Sequence, residues 1–140
     1  MGCNKLAKPG NLLVFKGLQN IVVNHSATEF SRGSESSRWP LELIISNGFG
    51  AATFYYGDVE PDHAQGWKSG IRGQHLAQNQ SETFATDSWG AIAAWSWGLR
   101  RALDYLITNS LVDAEKVAVI GHSRLGKAAL WAAALDQRFA

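Results

Sequence analysis

Short apolar runs alternate along this chain with segments in which apolar residues recur every three or four positions. The runs are typical of strands buried on both faces, and the recurring pattern is typical of helices that bury one face. Strand candidates are 12–15, 21–23, 51–56 and 117–120, and helix candidates are 40–48, 89–108 and 128–135. The alternation predicts an α/β fold with a mostly parallel sheet between two helical layers.

The longest periodic segment predicts an amphipathic helix packed on that sheet. Its large apolar positions recur at helical spacing: Ile92, Trp95, Leu99, Leu103 and Leu106. Arg101, Asp104 and Thr108 fall on the opposite side. The preceding residues, 86–88, are Thr, Asp and Ser, which commonly cap helix N-termini.

Three tryptophans in this region have two possible roles. Trp89, Trp95 and Trp97 could form a platform for a sugar ring, or they could pack between layers of the fold. Only Trp97 falls away from the apolar stripe, so packing is the favoured interpretation.

The segment 59–86 is polar and contains several glycines, which predicts a long loop. Asp58, Glu60 and Asp62 alternate at its start, and His63 follows. Carboxylates and imidazoles are metal ligands, but this spacing fits no recognised ligand set. We therefore predict neither a metal nor a cofactor.

A serine lies where the last predicted strand becomes a helix. Val117–Ile120 is followed by the turn Gly121-His122-Ser123 and then by an alanine-rich segment. This is the setting of a nucleophile elbow, in which a sharp turn exposes a serine hydroxyl that attacks an acyl carbon. Backbone N–H groups and the positive end of the helix dipole then stabilise the oxyanion. The alternative is a serine that only caps the helix.

The same turn also matches a phosphate-binding loop. Gly121 to Lys127 fits the pattern G-x-x-x-x-G-K between a strand and a helix, but Ala128 stands where Ser or Thr would bind magnesium. The simplest elbow pattern, G-x-S-x-G, is not matched either, because Leu125 occupies its second glycine position. Nucleotide binding remains the less favoured alternative.

Composition limits the classes of protein to which this chain can belong. The 140 residues are 46% hydrophobic and 18% charged, which is typical of a globular protein with one core. A net charge of +1 gives no indication of a nucleic-acid partner. The single cysteine, Cys3, excludes an internal disulfide. No apolar run resembles a signal peptide or approaches the roughly twenty residues of a membrane span.

The segment GHSRLGK (121–127) resembles the G-[CH]-S-R-x-G-K signature of the glucuronoyl esterases, which are carbohydrate esterases with an α/β-hydrolase fold. Further blocks at 37–62, 89–106 and 129–140 look like the corresponding blocks of bacterial members. The resemblance extends from about Leu12 to the end of the chain.

The resemblance implies specific roles for three residues. Ser123 would be the nucleophile, Arg124 would help to stabilise the oxyanion, and Lys127 would face the hydroxyls of the uronic acid. The family cleaves the ester between 4-O-methyl-glucuronic acid on xylan and a lignin alcohol. The implied partner is therefore glucuronoxylan or its lignin esters, and a polymeric substrate implies a secreted or periplasmic parent protein. The resemblance predicts neither an oligomeric state nor a membrane contact.

The order of the catalytic residues predicts an incomplete site. An α/β-hydrolase triad runs Ser, then an acid, then His along the chain. Residues 124–140 contain Asp136 but no histidine, and the four histidines, at 25, 63, 75 and 122, all precede Ser123. We expect 1–140 to be the N-terminal part of one α/β-hydrolase domain, without its C-terminal strands. Alone it would be marginally stable and inactive, or a module that binds glucuronoxylan without cleaving it.

Overall fold

The computed structural model describes residues 22–23, 26–34, 36, 39–78 and 84–140. The chain divides into two compact units, of which the first ends at Phe54 and the second spans Tyr55–Ala140. Among the described residues the α-helices are α1 (Leu41–Ser46), α2 (Tyr56–Val59), α3 (Ile71–Gln78), α4 (Ala91–Leu106) and α5 (Arg124–Leu135). Short 3-10 helices span Glu29–Ser31, Gly66–Lys68 and Ala114–Lys116.

The first unit contains a small antiparallel pair of strands and one helix. Strand β1 (Val22–Val23) pairs with β2 (Ser26–Ala27), and Val22 lies opposite Ala27. These strands agree with the strand predicted at 21–23, whereas the one predicted at 12–15 lies outside the described residues. Helix α1 confirms the helix predicted at 40–48. It ends at Ser46 with Asn47 as its C-cap, and Gly48 follows with a φ of +82°, the left-handed conformation that glycine adopts without steric cost.

The mostly parallel sheet predicted from the sequence is not formed by the described residues. Residues 51–55 have no regular structure, Tyr56 begins α2, and 117–120 have no strand partner. A strand exists only where neighbouring strands complete its ladder of hydrogen bonds. The described part of the chain gives 117–120 one backbone bond, which the N–H of Ala140 donates to the carbonyl of Val117 at 3.0 Å.

The predicted loop at 59–86 is wrong over much of its length, because a 3-10 helix and α3 lie within it. Its glycines lie at close contacts rather than in flexible turns. A Cβ on Gly66 would lie 2.8 Å from the carbonyl carbon of Pro61, and one on Gly70 would lie 2.6 Å from Cγ of Glu60. These positions need glycine because other segments approach them closely.

The periodicity correctly predicts α4, around which the second unit is built, but among the described residues α4 packs against α2 and α5 and not on the predicted sheet. Trp95 and Leu103 are buried, and Trp95 packs edge-on against Tyr56 with ring centroids 5.1 Å apart. Helix α4 begins at Ala91 with Gly90 as its N-cap, so the capping residues predicted at 86–88 lie before the helix. The side of α5 that packs on α4 consists of small residues: Ala128, Ala129 and Ala132.

Glu60, in the segment between α2 and α3, is joined to α3 by a buried ion pair and to α4 by a hydrogen bond. Glu60 is 1% exposed, and its carboxylate accepts hydrogen bonds from Nε of Arg72 at 2.8 and 2.9 Å. Nη2 of Arg72 lies 2.6 Å from the same carboxylate, and Nε1 of Trp95 donates to the backbone carbonyl of Glu60 at 2.9 Å. A buried carboxylate is tolerated when it is paired and hydrogen-bonded in this way.

None of the helices in the described ranges combines the length and the apolar character needed to cross a bilayer.

Truncation of the α4 core provides a test of this packing. Leu103 is 1% exposed, so Leu103→Ala should lower the free energy of unfolding by about 2–5 kcal/mol. Leu111→Ala is the matched control, because Leu111 is 92% exposed and its truncation should cost less than about 0.5 kcal/mol. Denaturant unfolding of the protein expressed from its complete gene measures both values. Equal effects of the two substitutions would contradict the assignment of the core.

Candidate active site

Ser123 has an unusual backbone conformation. Its φ is +55° and its ψ is −120°, and it is the only non-glycine residue with positive φ in the described part of the chain. Such a conformation costs about 1–3 kcal/mol for a residue with a Cβ and persists only where the surroundings enforce it. Strain of this kind is typical of functional sites, and the sharp turn is the one that the sequence predicts before α5.

Two glycines allow this turn to fit against the first turn of α5. A Cβ on Gly121 would lie 2.5 Å from the carbonyl carbon of Leu125 and 2.8 Å from the nitrogen of Gly126. A Cβ on Gly126 would in turn lie 3.2 Å from the carbonyl oxygen of Gly121. The glycine at 126, one position later than in the simplest elbow pattern, therefore packs directly against the glycine that opens the turn.

The side chain of Ser123 does not act as a helix cap. Ser123 occupies the N-cap position of α5 and is exposed, but its hydroxyl accepts no capping hydrogen bond. Capping would join the Ser123 oxygen to a backbone N–H two or three residues later. The hydroxyl is instead accessible, as a nucleophile must be.

The backbone N–H groups at this helix end fall into two sets. Those of Leu125 and Lys127 donate to the carbonyls of His122 and Ser123, at 3.0 and 3.2 Å. Those of Arg124 and Gly126 have no backbone acceptor among the described residues. The N–H that follows the nucleophile is a usual oxyanion donor, and here it is available. A phosphate-binding loop would need several unpaired N–H groups around the phosphate. Here two of the N–H groups at the turn are already hydrogen-bonded to backbone carbonyls.

Arg124 forms an ion pair with Asp62, a residue for which the sequence predicts no partner. Nη1 of Arg124 lies 2.8 Å from Oδ1 and 2.6 Å from Oδ2 of Asp62. The Arg124 side chain is 55% exposed and that of Asp62 is 23% exposed. Cations are unfavourable at a helix N-terminus, which is a signal that an anion must lie nearby. Asp62 is that anion.

Lys127 lies one helical turn after Ser123. It is exposed and forms no ion pair with a described residue. Its ammonium group is therefore available to a ligand at this end of α5.

No histidine in the described ranges is bonded to Ser123. Nδ1 of His63 accepts the N–H of Gln65 at 3.3 Å, and His75 lies against Trp89 with ring centroids 5.9 Å apart. His122 supplies its carbonyl to the turn, and His25 lies outside the described residues. The described ranges also contain no group of three His, Cys, Asp or Glu side chains suited to a metal ion.

Asp136, the only acid after Ser123, is committed to an ion-pair network. It ends α5 and is buried, and it accepts bonds from Nε of Arg138 at 2.8 Å and Nη2 of Arg138 at 2.6 Å. Arg138 also reaches Asp104 at 2.7 Å, and Arg100 lies 3.5 Å from Asp136. The Arg138 guanidinium holds the pKa of Asp136 well below its ordinary 3.8, although burial opposes the shift. Asp136 therefore holds the C-terminal segment on α4.

The sequence favours a packing role for the tryptophans at 89, 95 and 97, and the structure shows that role for Trp95 but not for Trp97. Trp95 lies in the core, whereas Trp97 is exposed. Trp89 and Trp97 line an open groove of about 430 Å³ together with Ile71, Gln74, His75 and Gln78. The groove contains none of Ser123, Arg124 and Lys127.

A sequence model of the fungal glucuronyl esterases matches residues 41–140. The chain belongs to the glucuronoyl esterase family. It is 44% identical over 119 residues to a carbohydrate esterase from an unknown prokaryotic organism, a match that spans 85% of this chain and 27% of that protein. A 4-O-methyl-glucuronoyl methylesterase of Cerrena unicolor is 31% identical over 147 residues, across 98% of this chain and 30% of its own length.

Solved structures resemble the chain as well. A glucuronoyl esterase from Solibacter usitatus aligns with a TM-score of 0.75 and 53% identity, over 81% of this chain and 29% of its own. A CE15 glucuronoyl esterase from Teredinibacter turnerae aligns with a TM-score of 0.66 and 34% identity, over 94% and 29%. The chain thus spans less than a third of the length of these relatives.

The close contact at Gly121 predicts a sensitive position. Gly121→Ala should destabilise the protein by about 1–3 kcal/mol, because the new methyl group overlaps the first turn of α5. Gly90→Ala is the matched control: it also precedes a helix, and a Cβ there meets nothing within 4 Å. Thermal unfolding of both variants measures the difference. Two variants of equal stability would show that the turn relaxes without cost.

The Asp136 network predicts a dependence of stability on acid pH. Because the pKa of Asp136 is lower in the folded protein than its ordinary 3.8, the network stabilises the fold above that value. This contribution is lost as pH falls below about 4, where the unfolded carboxyl becomes protonated first. Asp136→Asn should therefore be less stable at neutral pH and should flatten the acid limb of the profile, measured by unfolding between about pH 2 and 6. Asp87→Asn, at an exposed carboxylate, should leave the wild-type profile unchanged.

Proposed function

We propose that the protein is a serine carboxylic-ester hydrolase that cleaves esters of 4-O-methyl-glucuronic acid on glucuronoxylan. The observation that supports this most is the exposed Ser123, held at positive φ before α5 with a free N–H at the next residue. The relative from Cerrena unicolor, a 4-O-methyl-glucuronoyl methylesterase, suggests the substrate. Glucuronoxylan and its lignin esters are the natural forms of such an ester, and a polymer of this kind would be met after export from the cell.

The reaction would proceed through an acyl-enzyme. Oγ of Ser123 attacks the carbonyl carbon of the uronate ester, and the negative charge forms on the carbonyl oxygen. The N–H and the guanidinium of Arg124 stabilise this oxyanion, and Lys127 binds hydroxyl groups of the sugar. The alcohol leaves, and water then attacks the acyl group to release the free acid. The base that accepts the Ser123 proton is not among the described residues.

The fold that the family resemblance implies is the α/β-hydrolase fold. We propose that residues 1–140 are the N-terminal part of one such domain. The partnerless segments 51–55 and 117–120 would then become strands of a mostly parallel sheet when neighbouring strands complete their ladders. This accounts for the apolar, aromatic sequence of 51–55 and the apolar, β-branched sequence of 117–120, which have no strand partner among the described residues.

Substitution of the nucleophile tests the function. In the protein expressed from its complete gene, Ser123→Ala should lower the rate of methyl glucuronate hydrolysis by roughly a thousandfold or more, because the acyl-enzyme can no longer form. Ser110→Ala, at another exposed serine, should hydrolyse the ester at the wild-type rate.

The same assay on residues 1–140 alone should give no turnover. Turnover by this short chain would mean that one of its own histidines acts as base. Binding of glucuronoxylan without turnover by the full-length protein would instead support a carbohydrate-binding module.

A further inference from the structure

Arg124 needs a partner if its guanidinium is to meet an oxyanion in a fixed place. Arginine side chains have high rotamer entropy, and this one is 55% exposed, so the surrounding protein restricts it little. Preorganised donors stabilise a transition state best because they do not have to reorient as charge develops. A contact that fixes Arg124 beforehand would therefore favour the reaction.

We propose that Asp62 is a positioning residue for Arg124. This inference rests on the proposed esterase function. Both oxygens of Asp62 contact the same nitrogen of Arg124, Nη1, at 2.6 and 2.8 Å. Nε and Nη2 have no acceptor among the described residues, so three of the five N–H donors of the guanidinium remain available. Asp62 thus holds one corner of the group and leaves the rest of it to an anion.

The position of Asp62 does not depend on Arg124. Two residues earlier, Glu60 is buried and bonded to Arg72, and its carbonyl accepts Nε1 of Trp95. Between them, the carbonyl of Pro61 lies where a Cβ on Gly66 would be, so this short segment is packed from both sides. Pro61 also fixes one backbone dihedral angle. The carboxylate is therefore presented from a rigid support rather than from a mobile loop.

The position of the Asp62–Arg124 pair on the protein argues against a role in stability. An ion pair whose arginine is half exposed to water contributes little to folding, because solvent screens the charges and two side chains must be ordered. The pair joins residues 62 positions apart, and its arginine is adjacent to Ser123. The effect of Asp62 is expected in the chemical step and not in the unfolding temperature.

The experiment compares Asp62→Ala with Asp58→Ala in the protein expressed from its complete gene. Asp58 is an exposed carboxylate in α2, four residues before Asp62, and its side chain forms no hydrogen bond or ion pair with a described residue. Asp62→Ala should lower kcat for methyl glucuronate by about tenfold, with KM changed less than about twofold and an unchanged melting temperature. Asp58→Ala should match the wild type in all three. In an Arg124→Ala background, Asp62→Ala should cause no further loss, since the two residues act as one unit.

The proposal would be overturned if Asp62→Ala lowered kcat equally in the wild-type and Arg124→Ala backgrounds. A wild-type kcat for Asp62→Ala would also overturn it. A second measurement is independent of turnover. The 15N relaxation of Nε of Arg124 should report a more mobile side chain in Asp62→Ala than in Asp58→Ala, and equal mobility would overturn the positioning role. If the wild type hydrolyses no ester, the proposed function fails, while the relaxation data still decide whether Asp62 restrains Arg124.

Discussion

The ion pair between Glu60 and Arg72 is the interaction on which the second unit depends. A carboxylate that is 1% exposed would be strongly destabilising without its partner, at a cost of about 3–5 kcal/mol when one side of such a pair is lost. Here the carboxylate faces α3, and the carbonyl of the same residue accepts Nε1 of Trp95 from α4. One residue thus fixes the segment after α2 against two helices. The same segment carries Asp62, so the burial of Glu60 also sets where the partner of Arg124 can lie.

The strain at Ser123 is balanced by packing elsewhere. A residue with a Cβ adopts positive φ only when neighbouring structure leaves it no better conformation. In this chain the close approach of Gly121 to the first turn of α5 imposes the turn, and the contact of α5 with α4 holds the helix in place. The strained conformation of Ser123 is therefore a property of the helix pair and not of the GHSRLGK segment alone.

The sequence predicts the elements whose signal is local. The period of α4, the glycine that ends α1 and the turn before α5 are all visible in short stretches, and the structure contains each of them. Segment 51–56 was predicted as a strand because it is an apolar run with aromatic residues, and 117–120 because it is apolar and β-branched. A strand also needs neighbours, which no local pattern supplies. Glycines at 66 and 70 suggested a loop, although they lie where other segments come close.

The candidate site is likewise predicted where its signal is local and missed where distant residues meet. Ser123 and Arg124 follow from a contiguous motif, and their catalytic roles remain predictions. Asp62 was missed as the partner of Arg124 because the two are 62 positions apart, and the alternating carboxylates around it were weighed only as a metal site, whose ligand spacing they do not fit. The cations in the first turn of α5 were the one available signal, since they require a compensating anion. The signal indicated the charge of the partner but not its position.

The small residues between α4 and α5 have a further consequence for how this protein can change. Ala128, Ala129 and Ala132 leave no room for larger side chains, so a bulkier residue there would displace α5 as a whole. Ser123 and Arg124 lie at the N-terminal end of α5 and would move with it. Substitutions in this layer would thus shift the position of Ser123 without changing any residue of the turn itself. Under the proposed esterase function, natural variation or laboratory selection that alters activity would act on the alanines of α5 as well as on the residues of the turn.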